Sequence, residues 1–255
     1  MKKINFTILI VFISGLLLFN SCAKDTEKGP LSQTTQAPVN SDDERYKHAI
    51  EDAMIAEPGE ICNKLIAIND SNTYLTWSGT VNDKKVLVVT WTKYPGSYPE
   101  GATITTSWGE VWVTVVPEIE DWFKNNYSSG SNYVFRAEEL LGLPKNKGYT
   151  HFAELWVNPA DLFRPSPDNE VTDNVAQLDF PPNADSTYKV WFNNNIIYSY
   201  YPMRFPWTRL GYTYDWGNST SEIGLSEFVI KNNSQVTVFK VYDNATFFNN
   251  IFSSK

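Results

Sequence analysis

Val86-Leu87-Val88-Val89 is the most restrictive stretch of this sequence. Side chains of a β-strand alternate between its two faces, so four consecutive apolar residues make a strand that is apolar on both. Such a strand needs cover above and below, which makes it a central strand of a sheet. Lys64 to Ile68, Thr73 to Trp77, Lys85 to Trp91, Val111 to Val116 and Phe152 to Val157 read as the strands of the first part of the domain. Asn82-Asp83 marks a turn between two of them. Glu222 to Ile230 and Gln235 to Tyr242 read as a hairpin across Asn232-Asn233-Ser234.

Helical signals are fewer. Tyr46, Ala49, Ile50, Ala53 and Met54 recur at helical spacing within Asp42 to Ala56, and Pro58-Gly59 stops them. Pro117 followed by Glu118, Glu120 and Asp121 reads as a helix start, because proline suits the first turn and acids complement its positive end. Arg136 to Leu143, Asp185 to Tyr201 and Asn244 to Ile251 complete the set, with one helical turn capped by Asn158. Strands outnumber helices and do not alternate with them. The expectation is α+β: one domain with a mainly antiparallel mixed sheet and a few packed helices.

The N-terminus is of another kind. Lys2 and Lys3 precede an apolar stretch from Ile8 to Phe19, then Asn20, Ser21 and Cys22. This is the secretory pattern, and the apolar run is short of the roughly 20 residues a membrane-spanning helix needs. Leu17-Leu18-Phe19-Asn20-Ser21-Cys22 resembles a lipobox, of the looser kind found in Bacteroidota lipoproteins. The resemblance implies that residues 1–21 are a removable signal peptide and that Cys22 carries the lipid. The partner it implies is a membrane, either the cell membrane or the outer membrane, with the protein facing the periplasm or the cell surface. Residues 22–41 hold Ser, Gln, Thr and Pro but no aromatic, and so read as a disordered tether. The globular domain is then 42–255. With Cys22 acylated, Cys62 has no disulfide partner. The domain must rest on its core, and aromatics at 15% can supply one.

Composition and motifs exclude several functions. The net charge of −8 and the lack of a basic cluster argue against nucleic acid. His48 and His151 stand alone, and no Cys-x-x-Cys pair, nucleophile elbow or phosphate loop is present, so neither metal nor cofactor is expected. A Cys62–His151 hydrolase lacks the motif around its nucleophile, and Cys62 suits a buried thiol. Asp168 to Asn174 is rich in oxygen ligands but lacks the glycine and terminal glutamate of a calcium loop, and reads as a solvated loop.

Two segments remain as site candidates. In Phe152 to Pro167, alternation puts Phe152, Glu154 and Trp156 on one face, with a carboxylate between two rings. Such a group has either a partner or a raised pKa, and Arg136, Arg164 and Arg209 are the candidate partners. In Pro206 to Gly217, Tyr212, Tyr214 and Trp216 form a stripe, with Thr213 and Asp215 opposite. An exposed aromatic stripe beside polar groups grips sugars, whereas a buried one is simply core. Both segments look like stretches of uncharacterised bacterial proteins, and no activity carries over.

The candidate binding residues are therefore Glu154, Trp156, Arg164, Arg209, Tyr212, Tyr214, Asp215 and Trp216. The leading expectation is a membrane-anchored, non-catalytic binding protein with an aromatic-lined site for carbohydrate. The alternatives are a hydrolase using Glu154, Asp161 or Asp215, and a protein-interaction component of an envelope complex.

Overall fold

The computed structural model describes residues 41–80, 83–127 and 132–253. The leader, Cys22 and nearly all of the tether lie outside the described residues, as does Asn82 of the expected turn. The central strand of the fold is β2, Lys85–Thr92. Val86 and Val88 are 0% exposed on one face, and Leu87 and Val89 only 5% and 2% on the other. One edge pairs along its length with β5, His151–Val157. The other edge is shared by β1, Trp77–Ser78, and β4, Val111–Val115.

The rest of the eight-stranded sheet is built outward from this pair. β3 (Thr103–Thr105) and β10 (Gln235–Asp243) lie beyond β5, while β9 (Phe228–Ile230) and β6 (Leu162–Phe163) lie beyond β4. The order is β3-β10-β5-β2-β4-β9-β6, with β1 beside β2 and every pairing antiparallel. A separate ladder joins β7, Tyr212–Tyr214, to β8, Ile223–Ser226. With five helices among the described residues, this is the α+β architecture the pattern predicts.

Each face has its own cover. On the first, Val88, Val113, Leu155, Phe228 and Val238 pack under irregular chain carrying Ile68, Leu75 and Val171. The second is covered by α2 (Val116–Asn126), α3 (Tyr133–Leu140) and α5 (Asn244–Ser253), whose Phe123, Leu140 and Phe248 meet Leu87, Val89 and Phe152. Phe152 is sandwiched between Trp91 and Phe247, with ring centroids at 5.1 and 3.9 Å. A fully buried ring of this kind contributes about 2–3 kcal/mol. Farther along, α1 (Asp42–Ala53) and α4 (Ser186–Tyr200) enclose Ile50, Phe192, Tyr200 and Trp207 against Trp112 of β4. α1 begins with a capping box, Ser41 Oγ accepting from the Glu44 N–H and the Glu44 carboxylate accepting from the Ser41 N–H. The Asp185 carboxylate caps α4 at the Tyr188 N–H.

Two expectations need correction. Lys64 to Ile68 is not a strand, and Thr73 to Trp77 is one only at its last residue. The backbone bonds of the first segment scatter, Leu65 N–H to Asn174 O, Ile66 N–H to Ser226 Oγ and Ile68 N–H to Val171 O, so no ladder forms. Its apolar side chains are buried as a lid instead. The hairpin is also absent, since β9 pairs with β4 and β6 while β10 pairs with β5 and β3. Thr106 holds the connection open. Its Oγ donates to Lys231 O and accepts from the Ser234 N–H, and its own N–H reaches Ser234 O. Phe228, Val229 and Ile230 are each 0% exposed, which demands an interior place for β9 rather than a hairpin edge.

Candidate functional site

Alternation along β5 does put Phe152, Glu154 and Trp156 on the helix-covered face. Glu154 is 5% exposed and lies in register with Val89 and Lys240 on the flanking strands. None of the three candidate arginines reaches it. Arg136 makes a two-pronged bond to Asp215, at 2.8 and 2.6 Å. Arg164, fully buried, donates to the carbonyls of Ile66 and Asp173. Arg209 donates to the carbonyls of Ala53 and Met54 at the end of α1. Left without an ion pair, Glu154 is pushed up to about 7 by burial and by the Glu120 carboxylate, against a weaker pull from Lys240.

The second segment is built inward. Tyr212 and Trp216 are buried, and their polar ends are used: Tyr212 donates to Glu60 O and Trp216 Nε1 to Leu143 O. Tyr214 is half-buried and donates to Asp52. The aromatic stripe is therefore not an exposed platform. Asp215, 1% exposed, is committed to Arg136 and to the Gly217 N–H. Tyr212 and Tyr214 both border one cavity, and Glu154, Trp156, Arg164, Arg209, Asp215 and Trp216 lie outside its lining.

That cavity is a cleft of about 490 Å³ on the helix-covered side of β2 and β4. Trp91 and Tyr149 border one part of it, and Trp112, Trp207 and Tyr214 another. Tyr94, Trp108 and Tyr198 are its most open rings, at 72%, 52% and 56% exposure. Its size and its aromatic-rich lining, with polar side chains interspersed, are those of a small-molecule site.

The polar group that distinguishes the cleft is Glu227. It sits between β8 and β9, and because Phe228 and Ile230 enter the first core layer, Glu227 turns to the opposite side. No hydrogen bond or ion pair to its carboxylate is found among the described residues. Burial alone pushes its pKa to about 8, so at neutral pH it is mostly an uncharged acid. Glu118, one helix away, shows what a structural buried carboxylate looks like here: it accepts from Ser226 N–H, Ser226 Oγ and Thr114 Oγ. Glu227 was legible only as an acid inside an apolar run, the same signal that singled out Glu154.

The other sequence candidates serve the fold. Cys62 packs beside Leu65, Leu210 and Tyr212, and His151 Nδ1 bonds to Thr150 Oγ. In the Asp168 to Asn174 loop, Glu170 accepts from Thr172 and Asp173 within the turn itself. No three metal-ligating side chains converge among the described residues. Fold and site together describe an α+β domain with an aromatic-lined cleft that two acids, Glu110 and Glu227, also line. No family model, curated protein or solved structure matches the chain.

Proposed function

We propose that this chain is an envelope lipoprotein, anchored through Cys22, whose domain binds a saccharide in the aromatic cleft without transforming it. The observation that carries the reading is the cleft itself: rings that can stack on the apolar face of a sugar, three of them open to solvent, beside polar groups that include Glu227, Glu110 and Asn195. The binding surface is thus formed by Tyr94, Trp108 and Tyr198 more than by the stripe at Tyr212 to Trp216.

The hydrolase alternative draws less support. Glycoside hydrolysis uses two carboxylates on either side of the bond, about 5 to 10 Å apart. Of the acids expected to serve it, Asp215 is locked to Arg136 and neither Glu154 nor Asp161 lines the cleft, where the acids are instead Glu110 and Glu227. The test is quenching of intrinsic tryptophan fluorescence by a panel of neutral and charged oligosaccharides. Saturable quenching, weakened about tenfold or more by Tyr198→Ala or Trp108→Ala, is the expected result. No response to any member overturns the reading.

A further inference from the structure

A carboxyl group set among aromatic rings has a natural complement. Ring faces carry negative charge density and attract cations, and a carboxylate screened from water pairs strongly with an opposite charge. Neutral sugars ask for neither. The cleft already shows the first property, since Lys93 places its ammonium over the Tyr149 ring at 4.7 Å, and both residues line the cavity. Lys93 is thereby held at the rim and makes no bond to Glu227. Of the two acids that line the cleft, Glu110 is exposed and Glu227 is half-buried, and Glu227 has no counter-charge among the described residues.

We propose that the saccharide taken by this cleft carries a free ammonium group, held against the Glu227 carboxylate while the sugar faces stack on the surrounding rings. This rests on the saccharide reading above and names its ligand class, an amino sugar with an unacylated amine.

The proton balance follows. Free Glu227, with its pKa near 8, is protonated at neutral pH and below. Pairing with an ammonium requires the carboxylate, so the acid proton leaves to solvent as the ligand enters. The tyrosines around it keep their protons in this range. Tyr200 of α4 has a hydroxyl raised to about 12 by burial, and Tyr212 and Tyr214 of β7 are raised further. Arg209, near Tyr200, is turned to the Ala53 and Met54 carbonyls. Glu110 and Lys93 border the cleft at the ends of β4 and β2.

Two probes separate the outcomes: a glucosamine tetramer and an N-acetylglucosamine tetramer, alike except for the amines. Calorimetric titrations are run near pH 5, more than two units below the α-amino range of about 7.7–8.0, so that the sugar amines carry their proton. Two buffers of different ionisation enthalpy report protons exchanged. The expected result is that the amine form binds at least about tenfold tighter and releases close to one proton per ligand, while the acetylated form releases none. Glu227→Gln should erase both the preference and the proton release. The proton count is made on the unaltered protein, so it stands even if that variant folds poorly. Equal or tighter binding of the acetylated tetramer, or tight amine binding with no proton released, overturns this inference and leaves the saccharide reading intact. Failure of both tetramers while other neutral saccharides bind does the same. Failure of every saccharide removes both.

Discussion

Glu154 offers a measurement that isolates one buried acid. Its ordinary pKa of 4.5 is pushed to about 7 in the folded protein. The folded state therefore holds this proton more tightly than the unfolded chain. Its contribution to stability is complete below about pH 4.5, is lost as pH rises through about 7, and stays lost above that. At ~1.4 kcal/mol per pH unit, the loss comes to about 3 kcal/mol. Glutamine has the same shape and never ionises. Glu154→Gln should match the parent near pH 4 and exceed it by about 3 kcal/mol near pH 8. For a domain of this size that is a rise in Tm of roughly 6–12 °C. Paired urea melts of the two proteins across this range cancel the titration of every other group. Parallel pH profiles, or a variant less stable above pH 8, would refute the reasoning. The second outcome would mean that Lys240 outweighs burial as the influence on this side chain.

Other perturbations follow from the same packing. Asp215→Ala removes the two-pronged bond of Arg136 and leaves its guanidinium only the Glu139 carboxylate at 3.7 Å, so a loss of about 1–3 kcal/mol is expected in a denaturant melt. Gly224→Ala would drive a methyl group against Thr213 Oγ and to 2.7 Å from Leu140 O, so a loss of about 1–3 kcal/mol is expected on thermal melting. If the proposed lipid on Cys22 is the anchor, Cys22→Ala should move the protein from the membrane fraction to the soluble fraction. Retention of that variant on membranes would remove the lipoprotein assignment.

What could be read from the sequence was what depends on neighbouring residues. The four-residue apolar run located β2 as the centre of the sheet. Pro117 with its acids located α2, and Asp185 located the start of α4. What could not be read depends on distant chain. The route from β9 to β10 is fixed by Thr106, 125 residues from Lys231, and no turn signal at Asn232-Asn233 reports it. The stripe at Tyr212 to Trp216 was ambiguous because a buried and an exposed stripe have one sequence signature. Its burial is decided by Glu60, Leu143 and Asp52, which receive its polar groups. Glu227 lines the cleft together with rings from β4 and α4, and their spacing in sequence gives no hint of that.

The placement of β10 between β3 and β5 carries a consequence for biogenesis. Both neighbours are synthesised well before residues 235–243. At ribosomal elongation rates of about 5–20 residues per second, β5 waits on the order of 10 s with one edge bare. That edge belongs to Phe152–Val157, an apolar strand of the kind that recruits foreign strands when left open. The nascent chain is thus sticky until its closing strand arrives. A holding chaperone, or release into a compartment only after the full chain is made, would matter more for yield than the stability of the finished fold. Truncation before Gln235 should give inclusion bodies rather than a smaller domain.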